Sequence, residues 1–186
     1  MNRTKRRIFD KSMELFAKNG YDQTSIDEIT KNVGVAKGTL YYHFQSKEEI
    51  FNFLVTEGIQ LLKNSVQIKI NKQSNYLDKI RAICLIQIKI VDKYSNFITI
   101  VASELYQESE RARYCQNEIN QYLDVIKEVI DEGIKNQEII NTDSELLAKE
   151  LYSFIFAHLY DKKFGNFSIE NNFKQLDKDF LQGLKR

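Results

Sequence analysis

The sequence predicts an all-α chain of about nine helices, with a small N-terminal helix-turn-helix head and a larger helical bundle behind it. Three observations carry this. The 186 residues include no proline, the residue that most effectively breaks a helix. The seven glycines fall mostly where helices would end. Apolar residues recur at three- and four-residue spacing, and strand-type alternation does not persist anywhere.

Helix 1 is predicted over about 4–19, with Ile8, Ser12, Leu15 and Phe16 as its inner stripe and Gly20 closing it. Ser25-Ile26-Asp27-Glu28 has the S-x-x-E form of a capping box and opens helix 2. Ile26, Ile29 and Val33 give that helix a buried face, and Gly34 supplies the positive φ of a tight turn. Helix 3 starts near Ala36 and carries Leu40 and Phe44 inward. Two short helices joined by a glycine turn form a helix-turn-helix over about 25–44, whose second helix enters a DNA major groove.

Ser46-Lys47-Glu48-Glu49 is a further capping box and opens helix 4, which carries Ile50, Phe51, Leu54, Leu61, Leu62 and Val66. Gly58 lies inside this helix, either as a hinge, as a close approach of another helix, or as tolerated drift. Helices 5 and 6 are predicted over 76–93 and 95–107, helix 7 over 113–135, helix 8 from Thr142 or Asp143 to about Phe164, and helix 9 over 169–184. The expected division is a DNA-binding head over 2–62 and a ligand-binding and dimerisation body over 63–186.

The formal net charge of +1 is uninformative, but its distribution is not. Residues 1–47 hold nine Lys/Arg and five Asp/Glu, a net of +4; the remainder holds 18 and 21, a net of −3. A basic head on an acidic body suits a molecule that presents one end to a polyanion. Cys84 and Cys115 have no C-x-x-C spacing and no Cys/His cluster around them, which argues against zinc and for reduced thiols in a core. No signal peptide or long apolar run is present, so neither export nor a membrane span is expected.

The ordered run Gly20, Thr24-Ser25, Ile29, Gly34-Val35, Lys37-Gly38-Thr39-Leu40-Tyr41-Tyr42-His43-Phe44, Ser46-Lys47-Glu48 and Phe51 resembles the TetR family of bacterial transcription regulators. The resemblance covers roughly the first third of the chain. Ala36 departs from it, because the family usually has Ser there, and the recognition helix thereby loses a side-chain cap worth about 1 kcal/mol.

The resemblance implies roles at the matched positions. Thr24 and Ser25 would hold a phosphate at the N-terminus of helix 2. Lys37, Gly38 and Thr39 would open the recognition helix, with Gly38 allowing close backbone approach and Thr39 meeting a base edge or a thymine methyl. Tyr41, Tyr42 and His43 would donate to phosphate oxygens, Tyr41 also touching a base methyl, and Lys47 would add a cation. A single tyrosine on a short helix ordinarily packs, and a single histidine is ordinarily a surface group; their joint order between Gly34 and Ser46 reverses that reading. Arg3, Lys5, Arg6 and Arg7 fit a phosphate- or groove-seeking arm and a solvated basic helix start equally well.

The same resemblance implies a homodimer through the last two helices and a small-molecule effector in the body. The apolar faces of helices 8 and 9 support the dimer independently. Tyr94, Phe97, Glu104, Tyr106, Tyr152, Phe156 and His158 lie on the helices expected near a pocket, and aromatic walls suit an apolar or amphipathic ligand. Their plainer readings are an exposed Glu104 and an interior or interface His158. With only His43 and His158 as histidine bases and no phosphate loop or metal set, no catalysis and no cofactor is expected. The expected function is a cytoplasmic, nucleoid-associated, ligand-relieved repressor on an inverted-repeat operator. A DNA-binding protein without a small-molecule ligand, or an activator, would use the same head.

Overall fold

Capping side chains delimit the helices, and their bonds are visible at most of the predicted starts. The structure is a computed structural model that describes residues 2–186. Its eight helices are α1 (Arg3–Asn19), α2 (Ile26–Val33), α3 (Lys37–His43), α4 (Lys47–Ile70), α5 (Tyr76–Glu104), α6 (Glu110–Lys135), α7 (Ser144–Lys163) and α8 (Ile169–Asp179), followed by a 3₁₀ turn at Leu181–Leu184. Among the described residues the only β-type pairing is an isolated bridge between Ile139 and Lys185.

Ser25 Oγ accepts from Glu28 N at 3.0 Å and caps α2. The reciprocal half of the box is absent, because the Glu28 carboxylate accepts instead from Asn19 Nδ2 at 3.0 Å. Ser46 Oγ accepts from Glu49 N at 3.0 Å, and Glu49 returns a bond to Gln45 N at 2.6 Å, one residue earlier than the ideal box. At α7 the cap is Asp143, which accepts from both Glu145 N and Leu146 N at 3.0 Å. Ala36 makes no side-chain bond at the start of α3.

The nine expected helices become eight because 76–104 is one element. Its backbone is non-helical only at Tyr94 (φ −129°, ψ 38°), at the place where the sequence suggested a break. Without a proline, hydrogen bonding resumes beyond the kink. The predicted ninth helix stops at Asp179 and tightens into the 3₁₀ turn, whose end is held by Ile140 N donating to Leu184 O at 3.0 Å.

The chain forms two compact units that do not follow the head–body division in sequence order. One runs to Gly58 and adds Asn96–Glu118; the other comprises Ile59–Ser95 and Ile119–Arg186. In the first unit Ile8, Ile29, Leu40, Phe44, Ile50, Phe51 and Leu54 are completely or almost completely buried. Such side chains contribute about 1.5–3 kcal/mol each. Gly58 packs directly under the Phe97 ring, which selects close approach among the three readings of that glycine. Cys115 is buried here, and burial pushes its thiol up to about 12.

In the second unit Tyr122 is fully buried, and its hydroxyl accepts from Gln87 Nε2 at 3.0 Å. Arg81 bridges Asp78 at 3.0 Å and Asp177 at 2.6 Å, tying α8 to α5. Cys84 is buried as well and its thiol is likewise raised to about 12 by desolvation. Both cysteines are core residues, as their spacing suggested.

Candidate nucleic-acid interface

The head presents one helix almost free of packing obligations. Only Leu40 of α3 is buried, and with Phe44 it anchors the helix in the core. The opposite side is open: Lys37, Gly38 and Thr39 are exposed, Tyr41 is 43% exposed and Tyr42 84%. Gly38 has nothing within 4 Å of the place a Cβ would occupy, so its value is not internal packing. The His43 ring stands edge-on to Tyr42 at 5.0 Å and is half-buried.

Lys37 is held by an exposed ion pair with Asp27 Oδ1 at 2.7 Å, and this bond raises its pKa. A pair this exposed is weak enough for a phosphate to displace the carboxylate. Ser25 is exposed at the start of α2, where the free backbone N–H groups and the helix dipole favour an anion. The turn between α2 and α3 is set by Gly34 in the left-handed region (φ 72°, ψ 46°). Arg7 donates to the carbonyl of Val33 at that turn.

Two expected phosphate ligands are turned inward and are corrected. Thr24 is only 1% exposed, and its hydroxyl donates to Gly20 O at 2.8 Å, stitching the α1–α2 loop. The Lys47 ammonium donates to Tyr21 O at 2.8 Å and Thr24 O at 2.9 Å, and stands 4.2 Å above the Tyr21 ring. Desolvation lowers its pKa, as expected for a cation drawn into carbonyls. The basic start of α1 is also partly committed. Lys5 lies 4.2 Å over Phe53, Arg6 pairs with Asp10 at 3.0 Å and Arg7 caps α2.

The residues assigned to an effector are divided between the two units. Phe97 and Glu104 belong to the first unit, whereas Tyr94, Tyr152, Phe156 and His158 belong to the second. Phe97 is buried against Gly58. Glu104 is buried rather than exposed and pairs with Arg111 at 3.5 Å. Tyr94 marks the α5 kink, and Tyr106 is 91% exposed. Tyr152 and Phe156 do meet, ring edge to ring face at 5.6 Å, beside Tyr122. His158 is buried between α7 and α8. Ser168 N donates to Asn172 Oδ1 at 3.1 Å, which fixes the Asn172 amide, so its Nδ2 donates to His158 Nδ1 at 3.1 Å and to Asp161 at 2.6 Å. The imidazole is therefore neutral, with its proton on Nε2.

Sequence reasoning missed Arg111. It occupies the first turn of α6 and reaches back to Tyr21 and Asp22 on the α1–α2 loop. No spacing or motif around it signals this, because the contact spans ninety residues of chain.

An exposed, hydroxyl- and amine-bearing helix behind a glycine turn, anchored by two apolar side chains, defines a helix-turn-helix DNA-binding protein. Residues 8–53 match the model of the family described as bacterial regulatory proteins, tetR family. Over these residues the chain carries a DNA-binding domain of the TetR family type. It is 28% identical over 145 residues to the fatty acid metabolism regulator protein of Bacillus subtilis (strain 168), covering 77% of this chain and 75% of that one. It is 42% identical over 72 residues to IcaR, the negative transcriptional regulator of the biofilm operon icaADBC in Staphylococcus aureus, covering 39% of this chain and 38% of that one. Among solved structures, a candidate fatty acid metabolism regulator of Clostridium perfringens superposes with a TM-score of 0.90 at 28% identity, over 97% of this chain and 99% of that one. The molecule is thus a sequence-specific DNA-binding transcription regulator. No helix among the described residues is long and apolar enough to cross a membrane.

Proposed function

We propose that the chain is a homodimeric repressor that binds an inverted-repeat operator and releases it on binding an amphipathic effector with a fatty acyl chain. The observation that carries the DNA-binding half is the open face of α3, where Tyr42 is 84% exposed although it is a large aromatic side chain. Lys37, Thr39, Tyr41, Tyr42 and His43 are the contacts we assign to DNA, with Gly38 allowing close approach and Ser25 serving α2. Two such helices reading one face of a duplex must stand about 34–36 Å apart, which makes the operator a two-fold repeat.

The dimer is assigned to α7 and α8. Tyr160 on α7 is 63% exposed and Phe164, at its C-terminal cap, 59%, and Phe154 and Phe180 pair at 5.3 Å beside a groove between the two helices. Exposed aromatic area of this kind favours a second copy.

The acyl class of effector is supported by the relatives. Two of them, in Bacillus subtilis and Clostridium perfringens, bear names tied to fatty acid metabolism. A fold neighbour, FadR of Bacillus subtilis, was solved in complex with stearoyl-CoA. To act as a switch, the effector must bind the DNA-free arrangement better; a coupling of 1–3 kcal/mol corresponds to a loss of about 5–150-fold in operator affinity.

The test is a titration of stearoyl-CoA into the protein bound to a duplex recovered by selection from a random library, read by fluorescence anisotropy. Release by stearoyl-CoA but not by free coenzyme A supports the proposal. A complex that resists both leaves a regulator without this effector. Sedimentation of the free protein as a monomer would remove the dimer.

A further inference from the structure

We propose that Arg111 is a positioning residue for DNA binding: from the first turn of α6 it clamps the α1–α2 loop through the Tyr21 ring and so fixes α2 beneath the recognition helix. Its guanidinium carbon lies 3.9 Å from the centroid of Tyr21 and 6.0 Å from that of Phe51. Both are within the range of a cation–π contact, and the side chain is only 19% exposed, so the contact is largely desolvated. Nε faces Glu104 Oε1 at 3.5 Å, and an Nη faces Asp22 Oδ1 at 3.5 Å. Glu104 is 4% exposed and also accepts from the Ser109 hydroxyl at 3.4 Å; Ser109 Oγ in turn caps α6 by accepting from Ala112 N at 3.0 Å. The guanidinium is therefore held from behind and aimed at the loop.

The loop is short and already gripped from a second side. The Lys47 ammonium also stands over Tyr21 and binds the carbonyls that flank it. Tyr21 thus joins two cations from two different helices to the segment that leads into Ser25, the cap of α2. Lys47 opens α4, with three residues between it and the end of α3. Arg111 comes from far along the chain but lies in the same compact unit, on a helix whose residues from Ile119 onward belong to the other unit. A recognition element tolerates only sub-ångström looseness in its supports. Displacing the loop moves the α2 N-terminus, Ser25 included, relative to α3 without removing any cation from the DNA-facing surface.

The test uses the full-length protein and a duplex selected from a random library. Arg111→Gln should weaken binding by about two- to thirtyfold, the range set by one cation–π contact. The slope of log affinity against log salt should stay unchanged, because no Lys or Arg contact to a phosphate is lost. Arg111→Lys, which keeps a cation over the ring, should recover most of the affinity. In a Tyr21→Leu background, Arg111→Gln should add little further loss. The proposal is overturned if Arg111→Gln binds as tightly as the wild type, if its salt slope falls by about one, or if the loss is the same with and without Tyr21. Should Arg111→Gln not fold, Tyr21→Leu alone takes its place: weaker binding at an unchanged slope supports the clamp, and unchanged affinity overturns it. Binding of the wild type to no duplex would strike the regulator reading itself, a result distinct from failure of the clamp.

Discussion

Phe97 lies so close over Gly58 that a Cβ at position 58 would sit 2.3 Å from the ring. The cost of glycine inside a helix is thus offset by its close fit to that ring. Two magnitudes compete when Gly58 is replaced by Ala. Helix propensity gains about 1 kcal/mol, whereas forcing a buried ring aside costs about 1–3 kcal/mol. Gly58→Ala should therefore leave stability unchanged or lower it by up to about 2 kcal/mol, as read by urea unfolding. A gain close to the full propensity difference would show that the ring is free to yield.

Lys47 and Lys37 should separate cleanly by salt dependence. Lys47 is occupied by loop carbonyls, whereas Lys37 holds only an exposed carboxylate. Lys37→Gln should lower the steepness of the salt dependence by about one. Lys47→Met should weaken binding with the slope intact, together with a loss of thermal stability. Equal slopes for both variants and the wild type would remove Lys37 from the phosphate contacts.

Tyr42 and Thr39 divide affinity from specificity. Tyr42→Ala should reduce affinity for all duplexes, at little cost in stability because the side chain is 84% exposed. Thr39→Ala should change which sequences are selected more than how tightly they bind. Selection of an identical site by the wild type and Thr39→Ala would contradict the assignment of Thr39 to a base.

His158 makes stability depend on pH. Burial lowers its folded-state pKa below the usual 6.5, with Asp161 opposing the shift. A depressed folded pKa means that the unfolded chain takes up the proton more readily. The contribution of neutral His158 is thus fully present above about pH 6.5 and is lost as pH falls through the folded value. Protonation also costs the bond that Nδ1 accepts from Asn172. Urea unfolding at a series of pH values should show stability falling below about pH 6.5, with a shallower fall in His158→Asn. Parallel profiles for the two proteins would discount the histidine.

The head was legible in the sequence because its determinants are local. Ser25, Gly34 and Ser46 act on neighbours within four residues, and each does so in the structure. Leu40 as core and Tyr42 as free surface follow from helical spacing together with the ordered run around them. What was not legible depends on chain partners far apart. Thr24 and Lys47 carry groups that suit phosphate, yet the carbonyls of the α1–α2 loop take both side chains inward. Glu104 reads as a surface carboxylate until Arg111 covers it. The break at Tyr94 was visible, but whether it ends the helix or bends it depends on packing rather than on spacing.

The central claim is that the open face of α3 enters a DNA groove, and a photo-cross-link tests it most directly. A photoreactive phenylalanine analogue in place of Thr39, irradiated on the selected duplex, should attach to bases within each half-site. The same analogue in place of Tyr160 should attach to protein rather than to DNA. Base attachment from position 160 and none from position 39 would contradict the account.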